Sequence, residues 1–120
     1  MKHTISLTVK DYIEICFIGP IEFEHVRTLG ERLVVLNTQL GDMGKDLLLS
    51  IDSRNATEME EEAVSLARII LKHTAFIKMA CIETRGDVTK KLAEEITGVH
   101  GTDKVRVYKT FKEAQIWLDT

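Results

Sequence analysis

Alternating apolar and polar residues open the chain and predict a β-hairpin. Residues 4–9 place apolar side chains at every second position, which is typical of a strand with one buried face. Lys10-Asp11 separates this strand from residues 12–18, a run rich in β-branched and aromatic residues. This arrangement predicts a tight antiparallel hairpin. Gly19-Pro20 is predicted to end the second strand, because proline has no N–H group for the ladder.

The spacing of apolar residues then changes to three and four, which predicts a long helix. The residues on its apolar face are Val26, Leu29, Leu33, Leu36 and Leu40. Gly30 interrupts this face and predicts a local kink, since glycine lowers helix stability by about 1 kcal/mol relative to alanine. Gly41 is predicted to end the helix, because glycine adopts positive φ without a steric penalty. The continuous apolar run 47–51 predicts a strand buried on both faces.

A second helix and another buried strand follow. Thr57 and Glu60 have the spacing of a capping box, in which a hydroxyl and a carboxylate bind the first N–H groups of a helix. The apolar face of this helix consists of Met59, Ala63, Leu66, Ala67 and Ile70. Acidic residues at its start and basic residues near its end suit the helix dipole. Residues 76–82 predict the next strand.

The last third of the chain predicts two more helices on either side of one strand. Gly86-Asp87 opens a helix with apolar residues four apart, and Gly98 is predicted to end it. Residues 104–108 alternate strictly, which is typical of a half-exposed strand near a sheet edge. Thr110 and Glu113 repeat the capping-box spacing before a short final helix. The inner face of that helix is formed by Phe111, Ala114, Trp117 and Leu118.

The predicted order of elements is β-β-α-β-α-β-α-β-α in one domain, residues 1–120. A length of 120 residues fits one compact domain. Strands that alternate with helices are joined by right-handed crossovers and lie parallel. We therefore predict an α/β fold with a mixed, mostly parallel five-stranded sheet, an N-terminal antiparallel hairpin and about four helices.

Charge and composition exclude several classes of protein. The chain has 16 basic and 19 acidic residues and a formal net charge of −3. A nucleic-acid partner is not expected, because binding to phosphates needs a basic face. No stretch approaches the roughly 20 apolar residues of a membrane span, and no secretion signal opens the chain, so the cytoplasm is the expected compartment. Cys16 and Cys81 lie in apolar runs and are interpreted as small buried hydrophobic residues rather than as a disulfide or a reactive thiol.

Three segments make the chain similar to the STAS-like family, which includes anti-sigma-factor antagonists and the tails of sulfate transporters. These segments are the strand region 47–54 after the hairpin and the long helix, the strand 78–82, and the C-terminal pattern of residues 105–118. The chain most resembles the SpoIIAA-like (STAS/SEC14-type) branch of stand-alone bacterial domains. This resemblance implies the fold predicted above and a regulatory or ligand-sensing role.

The chain differs from the family at one informative position. Regulatory members carry a phosphorylatable serine at the start of the helix after the third strand. The matching positions here fall near 60–62, and residues 58–62 contain no hydroxyl side chain. Glutamate supplies negative charge permanently, without a kinase. Ser53 and Thr57 remain nearby as candidate phospho-acceptors, although Thr57 is better explained as a helix cap.

Polar residues at the carboxyl ends of the parallel strands form a candidate binding rim, because ligands of open α/β sheets bind there. The residues expected on this rim are Asp52, Ser53, Arg54, Glu83, Thr84, Arg85, Lys109 and Thr110. They would hold a small polar ligand or a partner segment, or they are solvated loop residues. The glutamates at the start of the second helix would repel an anion. They are interpreted as favourable dipole charges or as a surface for a basic partner.

No motif for catalysis or for cofactor binding occurs, and the four histidines are scattered, so neither a cofactor nor a metal is expected. The sequence therefore favours a non-enzymatic domain that binds a protein partner or forms a homodimer. One alternative is a carrier of a small apolar, lipid-type ligand in a pocket between the helices and the sheet. Its candidate lining is Phe23, Met43, Met59 and Phe76. Another alternative is a phosphorylatable switch of the anti-sigma-factor-antagonist type.

Overall fold

The order of helices and strands is the one that the sequence predicts. The computed structural model describes residues 2–83 and 88–120. Its elements are β1 (Thr4–Leu7), β2 (Ile13–Ile21), α1 (Phe23–Asp42), β3 (Leu48–Met59), α2 (Glu61–Lys72), β4 (Lys78–Ile82), α3 (Lys90–His100), β5 (Val105–Tyr108) and α4 (Phe111–Leu118). The strands form one sheet in the order β1-β2-β3-β4-β5, with β1 antiparallel to β2 and the other pairs parallel. The predicted α/β fold with a mixed sheet and an N-terminal hairpin is confirmed.

The hairpin turns at the predicted dipeptide. Asp11 has a φ of 63°, a left-handed conformation that aspartate tolerates better than most residues. The Thr8 N–H group donates to the Tyr12 carbonyl oxygen at 2.9 Å, and the Asp11 N–H group donates to the Thr8 carbonyl oxygen at 3.0 Å. The Asp11 carboxylate also pairs with Lys45, which ties the turn to the segment that follows α1.

The second strand does not end at Gly19-Pro20 as predicted, since β2 continues to Ile21. Proline is tolerated there because β1 covers only part of β2. Thr4, the first residue of β1, pairs with Cys16, so Pro20 lies beyond the antiparallel ladder. The extension matters for the site, because it carries the chain alongside β3 as far as the start of α1.

The third strand is also longer than predicted and continues from Leu48 to Met59 through two bulges. At the first bulge, Ser53 and Arg54 together lie opposite Phe17. At the second bulge, Thr57 is the extra residue. The prediction that the strand spans only residues 47–51, with Asp52, Ser53 and Arg54 following its end, is therefore wrong.

Two glycines predicted to end helices lie inside them. α1 runs to Asp42 and is followed by Gly44, which has a φ of 72°. α3 runs to His100 and is followed by Gly101, which has a φ of 91°. Positive φ favours glycine at these two positions, so the correct stop signals were Gly44 and Gly101 rather than Gly41 and Gly98.

The two predicted capping boxes have different outcomes. Thr57 lies in β3 and does not cap α2, whose N-cap residue is Glu60. Thr110 is an N-cap, as predicted, since its Oγ accepts from the Glu113 N–H group at 3.2 Å. The predicted helix opening at Gly86-Asp87 lies outside the described residues.

Helices cover the two faces of the sheet unequally. α1, α2 and α3 pack on one face, where the fully buried side chains include Ile13, Ile21 and Leu49. Gly30 lies where α1 meets α2, since a Cβ atom there would be 2.7 Å from Ile70 Cδ1. α4 packs on the other face, against β3, β4 and β5. The part of this second face that belongs to β1 and β2 carries polar side chains, among them Glu14 and Cys16.

Candidate functional site

Helices α1 and α2 begin side by side at the carboxyl ends of β2 and β3. β2 and β3 are neighbouring parallel strands, and Ile21 and Met59 pair at their ends. The Glu60 N–H group donates to the Ile21 carbonyl oxygen at 3.0 Å. In return, Glu60 Oε1 accepts from the Phe23 N–H group at 2.8 Å. The N-cap residue of α2 therefore also holds the first turn of α1, and this reciprocal pair fixes the two helix starts relative to each other.

We expect Glu60→Ala to lower the free energy of unfolding by about 0.5–1 kcal/mol, because the Phe23 N–H group loses its acceptor. Glu60→Gln keeps an acceptor oxygen and should retain most of this stability. Urea denaturation of both variants, with Glu58→Ala as an exposed control, measures the effect. Equal losses for Ala and Gln would show that the charge of Glu60, and not its hydrogen bond, stabilises the two helix starts.

The side chains around the two helix starts combine exposed apolar groups with negative charge. Phe23, Leu66 and Ile69 line an open hollow of about 420 Å³ together with Glu61 and Glu62. We call these five residues the α1–α2 surface. Phe23 and Ile69 are 38% and 54% exposed and border the same hollow, so they form a continuous apolar patch with Leu66. The exposed glutamates on and around this surface are Glu22, Glu24, Glu60, Glu61 and Glu62.

The apolar hollow continues along the groove between the helices. A second hollow of about 410 Å³ shares Leu66 and includes Val34 and Ile70. The cation beside it, Arg27, is engaged on its own helix, where it pairs with Glu24 at 2.7 Å and Glu31 at 2.9 Å. The groove is therefore apolar along its floor and acidic at the end formed by the helix starts.

Two histidines connect the start of α1 to the hairpin. His3 is 5% exposed, and its Nδ1 accepts from the Ile18 N–H group at 3.1 Å. The proton of His3 therefore lies on Nε2, which is 3.0 Å from the Pro20 carbonyl oxygen and 3.1 Å from His25 Nδ1. His25 Nδ1 also accepts from the Glu22 N–H group at 3.1 Å. Burial and the neighbouring His25 ring lower the pKa of His3 below its usual value. This pair was not predicted, because nothing in the spacing of two histidines 22 residues apart indicates contact.

Three of the residues predicted to form a binding rim do not lie at the end of a strand. Asp52, Ser53 and Arg54 lie within β3, well before its end at Met59. Thr84 and Arg85 lie outside the described residues. Glu83, Lys109 and Thr110 do follow the ends of β4 and β5, and the Glu83 N–H group donates to the Tyr108 carbonyl oxygen at 2.9 Å.

Asp52 and Arg54 instead form an ion pair on the second face of the sheet, in which Asp52 is buried and Arg54 is partly exposed. Asp52 is 5% exposed and accepts from Arg54 Nε at 3.0 Å, Arg54 Nη2 at 2.7 Å and the Arg54 N–H group at 3.1 Å. Burial raises the pKa of Asp52, but the hydrogen bonds from Arg54 outweigh burial and hold that pKa below its usual value. The pair is an internal structural element, since the guanidinium fork is already used by Asp52.

Glu14 and Cys16 border this ion pair, a placement that the sequence pattern does not indicate. Cys16 pairs with Asp52 across the strands, and Glu14 lies two residues away on the same face. Burial and the negative charge of Asp52 raise the pKa of Glu14, against the opposing effect of Arg54. Burial and the negative charges of Asp52 and Glu14 raise the pKa of the Cys16 thiol. The Cys16 thiol therefore differs from reactive thiols, which have lowered pKa values.

The two cysteines lie on opposite faces of the sheet. Cys81 pairs with Ile51, whereas Cys16 pairs with Asp52, and successive residues of a strand point to opposite faces. Both thiols are free. Cys81 is buried as predicted, and burial raises its pKa to about 12. Cys16 is only partly buried, so its interpretation as a buried hydrophobic residue is wrong.

The candidate phospho-acceptors differ in accessibility. Ser53 is 6% exposed, and its Oγ is a buried atom that has no hydrogen-bond partner among the described residues. Thr57 is exposed, but it lies in the second bulge of β3 rather than at a helix start. The helix start itself carries Glu60, Glu61 and Glu62, at the positions that the sequence predicts.

An apolar cavity does lie between the helices and the sheet, but it is small. Its volume is about 40 Å³, and its lining includes Phe17, Leu33 and Ile70. Ligand pockets usually span about 300–1,000 Å³, so this cavity does not accommodate a lipid chain. None of the predicted lining residues, Phe23, Met43, Met59 and Phe76, borders it.

Residues 2–83 and 88–120 contain no group of three or more His, Cys, Asp or Glu side chains arranged to hold a metal ion. Over the same residues, no helix is both long enough and apolar enough to cross a membrane.

Comparison with known proteins identifies the fold. No protein-family model matches the chain, and no curated protein matches it. A solved structure of an uncharacterized DUF3478-family protein from Shewanella loihica PV-4, with a SpoIIAA-like fold, aligns with a TM-score of 0.64 at 18% identity over 97% of this chain and 91% of that chain. The anti-sigma factor antagonist SpoIIAA in its unphosphorylated form aligns with a TM-score of 0.62 at 11% identity over 98% of this chain and 97% of that chain. The chain therefore has a SpoIIAA-like fold.

Proposed function

We propose that this chain is a non-enzymatic regulatory domain of the cytoplasm that binds a partner protein through the α1–α2 surface. The observation that carries the proposal is the exposure of Phe23 and Ile69 among glutamates at two adjacent helix starts. Large exposed apolar side chains surrounded by charged groups are typical of protein interfaces. The similarity of fold to an anti-sigma factor antagonist supports a regulatory role for the surface.

The charge of the surface indicates the chemistry of the partner. Five exposed glutamates, Glu22, Glu24, Glu60, Glu61 and Glu62, surround or belong to the surface, and Arg27 is paired with Glu24 and Glu31 on its own helix. A partner segment with lysine or arginine around an apolar anchor would complement both features. Because glutamates occupy the helix start where regulatory relatives carry a serine, we propose that this partner binds without a kinase-controlled step.

Charge reversal on the surface tests this proposal. The double variant Glu61→Lys/Glu62→Lys should recover at least about tenfold less of the specific partner from a native lysate than the unmodified protein does, a loss of about 1.4 kcal/mol or more in binding free energy. The control variant Asp46→Lys/Asp103→Lys makes the same change in charge at two exposed loop residues and should retain the partner. Equal recovery by all three proteins, or no specific partner, would contradict the proposal.

A further inference from the structure

Strand β5 forms one edge of the sheet and has backbone groups available for a further strand. The Lys104 carbonyl oxygen accepts from the Met79 N–H group at 2.7 Å, and the Tyr108 carbonyl oxygen accepts from the Glu83 N–H group at 2.9 Å. Because the direction of backbone groups alternates along a strand, the Val107 N–H and C=O groups point away from β4. In the part of the chain that the structure describes, no strand pairs with this outer edge.

A groove of about 650 Å³ runs between this edge and helix α3. Ala93 and Thr97 form its wall on the helix, and Val107 forms its floor on the strand. Val107 is 51% exposed, although Val105 on the same face of β5 is buried. A strand added to β5 would place alternate side chains on Val107 and against α3, so the groove would bury apolar side chains of an extended segment.

The charge along the edge strand, rather than that of the groove, favours an acidic segment. Lys90 and Lys109 line the groove together with Glu83 and Glu94, so the charge of the groove is balanced. Lys104, just before β5, and Arg106 are exposed on the face opposite Val107, where the Arg106 guanidinium lies 4.9 Å from the centre of the Trp117 ring. Two copies of this chain joined through β5 would place these cations opposite one another, which is unfavourable. An acidic extended segment would instead pair with them.

We propose that β5 and α3 form a second binding site, in which an acidic extended peptide with alternating apolar residues adds to the sheet as a further strand. Backbone hydrogen bonds to Val107 would hold the peptide, apolar side chains would fill the groove, and carboxylates on the opposite face of the added strand would pair with Lys104 and Arg106. This site is independent of the α1–α2 surface, because the two surfaces share no residue.

A synthetic peptide tests the site directly. The probe is a fluorescein-labelled heptapeptide in which glutamate alternates with valine, and binding is measured by fluorescence anisotropy. Val107→Pro removes an N–H group that points away from β4 and leaves the β4–β5 ladder intact, so it should weaken binding about tenfold. Val107→Ala keeps that N–H group and should weaken binding less. Lys104→Glu should weaken binding several-fold, whereas Lys72→Glu, the same change on α2, should not.

The outcomes separate this proposal from its alternatives. Binding of the acidic peptide that is lost in Val107→Pro, with amide shifts in the NMR spectrum confined to β5 and α3, supports it. Equal binding of a lysine–valine peptide, no binding at millimolar concentration, or undiminished binding by a folded Val107→Pro variant would overturn it. Dimer formation through β5 in sedimentation experiments would overturn the choice of an acidic peptide as the occupant. None of these results depends on the partner of the α1–α2 surface.

Discussion

Arg54→Met should destabilise the protein strongly, by about 2–3 kcal/mol at pH 7. Removing one member of a buried ion pair usually costs about 3–5 kcal/mol, and the lower figure allows for the partial exposure of Arg54. Asp52 would be left as a charged carboxylate that is 5% exposed, without its main hydrogen-bond donor. Urea denaturation monitored by circular dichroism measures the loss.

The loss in Arg54→Met should be smaller at pH 4 than at pH 7. In the unmodified protein the pKa of Asp52 is lowered, so its contribution is complete above the usual value of 3.8 and is lost as the pH falls. In the variant, the hydrogen bonds from Arg54 no longer outweigh burial, so the pKa of Asp52 rises. As the pH falls, the buried carboxyl group is therefore protonated, and the difference in stability between the variant and the unmodified protein becomes smaller.

Two controls isolate this ion pair. Arg27→Met removes an arginine from an exposed helical pair and should leave the urea midpoint nearly unchanged. Asp52→Asn/Arg54→Met removes both charges and should recover much of the stability lost in the single variant. If Arg54→Met were as stable as the unmodified protein at pH 7, the Asp52 carboxylate would not depend on Arg54, and the ion pair would not be what stabilises the second face.

His3→Phe is expected to cost about 1–3 kcal/mol, because the Ile18 N–H group and the Pro20 carbonyl oxygen lose their shared partner. Phenylalanine keeps an aromatic ring against Phe17, whose centroid lies 5.3 Å from that of His3, and removes only the two nitrogens. His73→Phe replaces an exposed histidine and is the matched control. A loss in both variants would indicate a general effect of added apolar surface rather than of the buried hydrogen bonds.

His3 should also make stability depend on pH. Because its pKa is lowered in the folded protein, the contribution of His3 is complete above the usual value of 6.5 and decreases as the pH falls through the folded pKa. The groups that face His3 are the Pro20 carbonyl oxygen and the His25 ring, with the Glu22 carboxylate farther away as an opposing influence. Urea midpoints between pH 7.5 and 5 should fall less steeply in His3→Phe than in the unmodified protein. Parallel curves for the two proteins would contradict this assignment.

Regular periodicity explains why most elements could be predicted. The spacing of three and four over residues 26–40 lies inside α1, and the alternation over residues 104–108 corresponds to β5 at the edge of the sheet. Both patterns arise from local geometry, since side chains on one face of a helix or strand recur at a fixed interval. The hairpin was predictable for the same reason, with its turn at Lys10-Asp11.

The second half of β3 could not be predicted, because pairing with β2 holds it in place. Residues 52–58 are mostly polar and include Asp, Asn and Glu, which strands disfavour. Their extended conformation depends on the length of β2 and on two bulges, which are non-local properties of the sheet. Because the predicted strand was too short, Asp52, Ser53 and Arg54 were expected after its end and Thr57 was expected to cap a helix.

The contacts around the candidate site were unpredictable for a related reason. Strand periodicity places Glu14 and Cys16 on one face, but the register between β2 and β3 decides that this face also carries Asp52. The contact between Phe23 and Glu60 likewise depends on two strands ending together. The sequence did indicate the glutamates at the start of α2, because their position relative to the helix is local.

Site-specific photo-crosslinking from Phe23 tests the central claim, that a basic partner protein binds the α1–α2 surface, most directly. The photoreactive residue p-benzoylphenylalanine would be incorporated at Phe23 and, in a control protein, at Ile116, which is 59% exposed on the opposite face of the sheet. We predict a crosslinked partner from position 23 only, and a crosslinked peptide that is rich in lysine or arginine. The crosslink should be lost in the Glu61→Lys/Glu62→Lys variant. The same crosslink from both positions, an acidic crosslinked peptide, or no crosslink from Phe23 would contradict the claim.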